Sequence, residues 1–418
     1  MDTLINQCRH DILPEVEKIA LQEGITPDKV AQQIVSGRLV IPHNHRRKHQ
    51  IIGIGDSCRV KVNVNVGTSN QLCDPALEYK KAEAALQNGA DSLMDLSTGG
   101  DLRNMREELL KLDTTIGTVP IYEAVRRAGN AADLEADLLF RVIREHCNQG
   151  VDFLTLHCGV NTDVLGSLRQ DPRTMGVVSR GGAFHIAMMA SQGVENPLWS
   201  EYDYLLEILA EYDVVISLGD GMRPGCQEDA PKLAKSVEYL NLGLLANRAL
   251  TAGIQRMIEG PGHIPLEQIG YNVRMIKELT AGAPLYLLGP LVTDVAPGYD
   301  HIVSAIGGAV ACMYGANFLC MVSPSEHLAL PRVEDIIEGT RASVIAAHIG
   351  NRVQGFSKAE ENELLMGQKR RDLDWDAQFS NALFPDVARR IHDRDPSDET
   401  CSMCGDLCAV KMVRDLLK

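Results

Sequence analysis

The sequence predicts an α/β protein built on a (β/α)8 barrel, and three observations carry that prediction. Short β-prone runs alternate with longer amphipathic stretches from residue 60 to residue 322, the pattern of a parallel sheet covered by helices. That stretch has the size of one such barrel, about 250 residues. Polar, glycine-rich words follow directly after the β-prone runs: "GTSN", "STGGD", "CGVN", "SRGG", "GDGMRPG", "GPGH", "GPLVTD" and "SPSEH". In a barrel, that end of every strand belongs to one face, where active sites form. A doubly wound open sheet is the second choice. No G-x-G-x-x-G turn follows the first run, which argues against a dinucleotide fold.

Residues 1–59 read as a small helical and then irregular segment. In "TPDKVAQQIVSG", Thr26 is placed to cap a helix, Pro27 to occupy its first turn and Gly37 to end it. The basic loop "HNHRRKHQ" (His43 to Gln50) reads as a solvated surface loop, with attraction of a phosphate or carboxylate as the other use. The barrel domain spans 60–350. Its strand candidates are "VKVNVNV" (60–66), "SLMDLS" (92–97), "TVPIY" (118–122), "DFLTLHC" (152–158), "MGVVS" (175–179), "DVVISLG" (213–219), "IQRMIEG" (254–260), "PLYLLG" (284–289) and "NFLCMV" (317–322). A barrel needs one fewer, and "MGVVS" is the weakest. Helices are expected in "PALEYKKAEAALQNG", "DLEADLLFRVIREHCNQG" and "DYLLEILAEY". Residues 351–418 form a C-terminal helical domain: charged "GFSKAEENELLMGQKRRDLDWDAQF", a polar linker "HDRDPSDET", then "ETCSMCGDLCAVKM".

Composition narrows the function. The net charge is −15 and aromatic residues make up 5%, so neither a phosphate-backbone footprint nor base-stacking platforms are expected. No window approaches a membrane span, and the first twenty residues lack a signal-peptide core. Eleven cysteines, mostly isolated in apolar runs, read as small buried hydrophobes rather than a disulfide framework. A cytoplasmic enzyme is the expectation.

Cys401, Cys404 and Cys408 stand apart from the other cysteines. A structural zinc site is closed by four ligands, and His392 is a poor fourth. Three thiolates instead suit a [4Fe–4S] cluster with one open iron, which the amine and carboxylate of S-adenosylmethionine can fill before reductive cleavage to a 5′-deoxyadenosyl radical. A zinc knuckle completed by a distant histidine is the other reading.

The cysteine word, together with "LMDLSTGGDL", "SLGDGMRPG", "MIEGPGHIPL" and "LGPLVTDVAPGYDHI", strongly resembles the phosphomethylpyrimidine synthase family of thiamin biosynthesis and its close paralogues. The likeness runs over nearly all of residues 20–415. It implies a (β/α)8-barrel radical enzyme, usually a homodimer, acting on 5-aminoimidazole ribotide. It also implies a one-electron donor such as flavodoxin or ferredoxin. Several words depart from the family pattern: the third cysteine comes one residue early, "NANIG" is "NVNVG", a tyrosine is Met321, and "CQEDAPK" follows "RPG". Taken as changes in the pocket, they favour the paralogue that makes 5-hydroxybenzimidazole for the vitamin B12 lower ligand, with hydroxymethylpyrimidine phosphate synthesis as the alternative. A metal-dependent hydrolase with a zinc tail is a third reading.

The residues themselves suggest a site. His263 and His327 follow strands, and two neutral imidazoles suit Zn²⁺ or Fe²⁺; Glu259 lies near enough in sequence to join them, and His301 is a weaker candidate. The glycine-rich words around Arg180 and Arg223 can cradle a phosphate. By resemblance, His263 and His327 hold a second divalent metal. Ser179 and Gly181 lie at the ribotide phosphate, and Asp220 and Arg223 contact the ribotide. Asn65, Met94, Tyr122, His157, Glu259 and Tyr286 match further substrate positions. Glu259, Asp220 and His157 are the candidate proton carriers.

Overall fold

The computed structural model describes residues 2–394 and 399–416; the middle of the polar linker, residues 395–398, lies outside them. The chain divides into two compact units, Met1–Gly350 and Asn351–Lys418.

The first unit holds a closed barrel of eight parallel strands. A short antiparallel pair precedes it, β1 (Leu39–Val40) and β2 (Ile54–Gly55). The barrel strands are β3 (Lys61–Val66), β4 (Ser92–Asp95), β5 (Thr115–Thr118), β6 (Phe153–Leu156), β7 (Val215–Leu218), β8 (Arg256–Gly260), β9 (Leu285–Leu288) and β10 (Phe318–Cys320). They pair in chain order, and β10 closes on β3 through Phe318↔Lys61 and Cys320↔Asn63. The (β/α)8 fold class expected from the sequence is therefore the fold observed. Strands covered on both faces carry near-continuous apolar runs, as in the "LYLL" of β9.

Two strand expectations are corrected. "TVPIY" is not a strand: β5 lies in "TIGT", and Pro120 opens the helix Pro120–Ala128. Proline has no N–H to lose in a first helical turn, so the chain turns there instead of extending. "MGVVS" is irregular; Gly176 takes a positive φ of 68°, and Ser179 caps the next helix, Arg180–Gln192.

The barrel interior is filled by rings. Phe153 meets Phe318 at 6.4 Å between centroids, and Phe318 meets Tyr286 at 4.4 Å. Gly117 on β5 makes this possible, because a Cβ there would stand 2.1 Å from the Phe153 ring. The N-terminal segment closes the other end, where the strands begin. Thr26 accepts from Lys29 N to cap the helix Pro27–Val35, as expected from the sequence. Lys61 donates to Glu23 (2.7 Å), Ile41 N donates to Gln255 (2.8 Å), and the buried Arg256 guanidinium donates to the Gly37 carbonyl.

The basic loop belongs to this closure rather than to the polar words, and it is solvated only in part: His45, Arg46, Lys48 and Gln50 are exposed, whereas Asn44 and His49 are buried. Arg47 pairs with the buried Asp152, which stands just before β6. Asn44 donates its backbone N–H to the same carboxylate (3.1 Å) and its side-chain amide to the carbonyls of Cys147 and Val151. A buried carboxylate needs such partners, and the loop supplies them.

The second unit contains the helices Ser357–Asp372, Trp375–Asn381, Pro385–His392 and Ala409–Leu416. His392 packs its ring on Trp375 at 4.4 Å and on Phe379 at 5.3 Å. No helix among the described residues is long and apolar enough to cross a membrane.

One tie of the N-terminal segment sets a pH dependence. Leu4 N donates to Asp213 (2.9 Å), and burial pushes the Asp213 carboxyl from 3.8 up to about 7. The folded state then holds a proton that the unfolded chain has released, so this site loses stability as pH rises from about 4 to about 7. Asn accepts the same hydrogen bond and tolerates the positive φ of 52° at this position. Asp213→Asn is expected to raise unfolding free energy at pH 8 by roughly 1–2 kcal/mol and to flatten the pH dependence, as urea titrations across that range would measure.

Candidate active site

The strand ends converge on one cavity. Its wall includes Asn65, Met94, Tyr122, His157, Arg223, Glu259 and Tyr286. These seven come from different strands and loops, so the barrel brings together most of the substrate positions expected from the sequence. Asn65 and Met94 are direct partners across β3 and β4, as are Glu259 and Tyr286 across β8 and β9.

Sequence reasoning missed several contributors. Cys320, read only as a buried hydrophobe, lines the cavity; it accepts from Asn65 (3.2 Å), and burial pushes its thiol up to about 12. Asn63, level with Cys320 on the neighbouring strand, donates to both Asn65 (2.9 Å) and the Tyr286 hydroxyl (2.8 Å). Thr155 donates to Glu259 (2.9 Å). The signal was available in the two-residue alternation of a strand, which places Asn63 with Asn65 and Thr155 with His157.

The same alternation corrects the account of the family departures. Val64 and Met321 are buried in the hydrophobic core, and neither lines the cavity. A Cβ on Gly339 would stand 2.5 Å from the Met321 sulfur, which places Met321 against the outer helix Val333–Val353. Gln227, in "CQEDAPK", donates to the Leu291 carbonyl (2.9 Å). Val64, Met321 and Gln227 therefore all stand outside the lining of the cavity.

Ser179 and Gly181 stand at the start of Arg180–Gln192. Ser179 accepts from Gly182 N (3.2 Å) as the helix cap, and its hydroxyl meets His157 Nε2 at 3.1 Å. Gly181 is required by proximity: a Cβ would lie 2.1 Å from the His157 ring. Arg180 lies over the Tyr122 ring at 5.0 Å. Free N–H groups at a helix start favour an anion, and two arginines stand on the two words involved.

Burial shifts the titratable groups toward their uncharged forms. Desolvation raises the Glu259 carboxyl, against the pull of Arg223 and the Thr155 hydrogen bond. It raises Asp220 as well, and it holds His157 well below its ordinary value with help from His185 and Arg223. Glu259 also accepts from Asp220 N (3.3 Å), which ties the ends of β7 and β8 together.

A second cluster lies at the ends of β8 and β10. His263 Nε2 and His327 Nε2 are 3.3 Å apart. Each ring turns its other nitrogen to a carboxylate: His263 Nδ1 to Asp294 at 2.7 Å, and His327 Nδ1 to Asp300 at 3.0 Å. Burial lowers His263, which leaves its nitrogen lone pair available. Glu259 does not join this pair; its oxygens are engaged by Thr155 and Asp220. His301 Nδ1 is buried without a partner. Among the described residues, no three His, Cys, Asp or Glu side chains are placed to hold a metal ion.

In the second unit, Cys401, Cys404 and Cys408 are free thiols on one continuous turn. Gly405 N donates to Cys401 O (3.1 Å), Leu407 N to Cys404 O (3.0 Å) and Met412 N to Cys408 O (3.0 Å). Gly405 takes the positive φ, 51°, that this winding needs. Cys404 is exposed, and the three sulfurs are not gathered to metal-ligating distance in this structure; by their chemistry and close spacing, three unpaired thiols are nonetheless a donor set for iron–sulfur ligation. His392, engaged with Trp375, is not placed with them.

Comparison with known proteins agrees with this reading of the thiols. Residues 3–415 match the model of the radical SAM ThiC family. The chain is 47% identical over 425 residues to a phosphomethylpyrimidine synthase of Methanopyrus kandleri, covering 100% of this chain and 99% of that one. It is 50% identical to phosphomethylpyrimidine synthase 2 of Methanosarcina barkeri (99% and 98% covered), and 48% identical to the phosphomethylpyrimidine synthase of Archaeoglobus fulgidus (99% of each). A solved dihydropteroate synthase of Coxiella burnetii aligns at a TM-score of 0.42 and 12% identity, over 71% of this chain and 94% of that one, a likeness too weak to bear on function. On matches that run the length of the chain, this protein belongs to the radical SAM ThiC family.

Proposed function

We propose that this enzyme converts 5-aminoimidazole ribotide to hydroxymethylpyrimidine phosphate, the pyrimidine step of thiamin synthesis. The observation that carries the proposal is end-to-end identity of 47–50% to proteins named for that activity. It supports the pyrimidine product over 5-hydroxybenzimidazole, and the core position of Val64 and Met321 removes the main argument for the latter. Family membership likewise favours radical chemistry over the hydrolase reading.

Cys401, Cys404 and Cys408 would hold the [4Fe–4S] cluster. With S-adenosylmethionine bound, the cluster supplies the 5′-deoxyadenosyl radical that opens the reaction. The protein's own groups do the rest. The start of Arg180–Gln192, with Ser179, Gly181 and Arg223, receives the ribotide phosphate. Tyr122, Met94, Asn65 and Tyr286 enclose the ring and ribose. Glu259 and Asp220, whose carboxyls burial pushes up, donate protons to departing oxygens, and His157, whose imidazole burial pushes down, accepts one. His263 and His327 hold a second divalent metal, zinc or iron, and their Asp294 and Asp300 partners fix the ring orientations. A flavodoxin- or ferredoxin-like electron donor and a homodimeric assembly complete the reading.

Anaerobic turnover with ribotide, S-adenosylmethionine and reductant is expected to yield a phosphorylated pyrimidine by mass and ultraviolet absorbance; a fused bicyclic arene would overturn the product assignment. Alanine at any one of the three cysteines is expected to abolish deoxyadenosine formation together with the iron–sulfur absorbance.

Glu259→Gln keeps the neutral shape but cannot release a proton. It is expected to lower kcat by on the order of 10²–10⁴-fold with ribotide affinity nearly unchanged. The Glu259 carboxyl titrates above its ordinary 4.5, so the limb of the wild-type pH–rate profile that reports it lies above that pH and vanishes in the variant. His263→Ala with His327→Ala is expected to remove the second metal from the purified protein while cluster iron stays, as metal analysis would read.

A further inference from the structure

Inside the barrel, one buried amide joins side chains of four strands. Asn63, on β3, has no exposed surface. It is level with Ser92 on β4 and with Cys320 on β10, and it points to the same face as Asn65, two residues on. Its Nδ2 donates to Asn65 Oδ1 (2.9 Å) and to the Tyr286 hydroxyl (2.8 Å). Its Oδ1 accepts from the hydroxyl of Ser92 (2.8 Å), which is equally buried. Asn65 continues the chain, its Nδ2 donating to Cys320 Sγ (3.2 Å).

This network has a direction. A side-chain amide donates only from nitrogen and accepts only at oxygen, whereas a hydroxyl does either. As the structure has it, both N–H groups of Asn63 are used. Turned over, Asn63 would offer its oxygen to Asn65 and Tyr286, and its two N–H groups would have Ser92 as their single partner. An orphaned buried N–H is costly, whereas an oxygen with one spare lone pair is tolerated. The count of partners on each side therefore selects the observed direction. Tyr286 and Asn65 both line the cavity, while Asn63 and Ser92 stand outside its lining. The Tyr286 ring packs on Phe318 at 4.4 Å, which places its oxygen but leaves open where its proton points. An oxygen that accepts from Asn63 must turn its own proton elsewhere. Asn65, whose oxygen faces Asn63, turns its nitrogen to Cys320 and keeps one further hydrogen to donate.

We propose that Asn63 is a positioning residue for the substrate: its amide sets the hydrogen-bond direction of Asn65 and Tyr286, so that this part of the cavity wall donates. A donating wall suits ligand atoms with free lone pairs, such as an unprotonated ring nitrogen or a ribose oxygen, and it disfavours an N–H turned toward it. The functional part rests on the reading that Asn65 and Tyr286 contact the ribotide.

The first test does not need substrate. In ultraviolet resonance Raman spectra of the full-length protein, the intensity ratio of the tyrosine doublet rises when the hydroxyl accepts a hydrogen bond and falls when it only donates. Subtracting the spectrum of the same protein carrying Tyr286→Phe isolates Tyr286. The wild type is expected to show an accepting hydroxyl, and Asn63→Leu, of similar size but without a donor, is expected to lower the ratio. Ser92→Ala removes a hydrogen bond of the same network without removing an N–H partner, so it is expected to leave the ratio in place. A donor-only Tyr286 in the wild type, or a ratio that Asn63→Leu leaves unchanged, would overturn the proposal. So would an equal shift in Ser92→Ala, which would make the effect one of packing. If Asn63→Leu does not fold, Asn63→Ala takes its place, and the wild-type ratio decides in any case. In turnover, Asn63→Leu is expected to raise the KM for ribotide by on the order of 10-fold with a smaller change in kcat, and Ser92→Ala to leave the KM where it is. If the Raman result holds and the KM does not move, the oriented wall stands and the reading of Asn65 and Tyr286 as ribotide contacts falls.

Discussion

Closure of eight parallel strands into one barrel is the constraint on which the rest depends. Parallel hydrogen bonding makes every strand end at the same face, so residues as distant in the chain as Asn65 and Glu259 line one cavity. The closure needs a filled interior. Phe153, Phe318 and Tyr286 fill it, and Gly117 is small because Phe153 lies against it. It also needs the opposite end sealed, which explains a basic loop and a set of buried charges that do no chemistry: Arg47, Asp152, Lys61 and Arg256 hold the N-terminal segment under the strands.

Burial then sets the electrostatics. Among the polar groups of the cavity, carboxyls rise and imidazoles fall for the same reason, the cost of charge in a dry place. Arg223 pulls Glu259 and Asp220 the other way without being the dominant influence. The two histidines at the ends of β8 and β10 are held differently, each by its own aspartate, which gives a pair of oriented imidazoles rather than a proton-exchange site.

Much of this was legible in the sequence. The alternation of runs predicts the barrel, and the polar words after them mark the face. His263, His327, Glu259 and the cysteines stand out as side chains with chemistry at strand ends or in a tight cluster. What was not legible depended on register and on pairing across the barrel. "TVPIY" reads as a strand because its residues suit one, yet Pro120 makes it a helix start. The basic loop is partly solvated as expected, but its structural role was hidden because the partner of Arg47, Asp152, lies more than a hundred residues away. Val64 and Met321 lie within words that line the pocket, but a strand turns alternate residues away from it. Glu238 sits in unremarkable helical sequence, and only the folded chain brings it to the backbone of Gly221 and Met222.

That distinction bears on how a product can be inferred at all. Radical fragmentation of a ribose needs acids to protonate departing oxygens and a base to take protons back, and one pocket must hold both near neutral pH. In this barrel the environment acts in that sense: burial raises the Glu259 and Asp220 carboxyls and lowers the His157 imidazole. Met321 lies in the core behind that wall and does not line the cavity. Two enzymes of this family with different products would have to differ in groups that touch the substrate. Word-level drift is therefore weak evidence of a new reaction, whereas identity of the lining residues is evidence of a shared one.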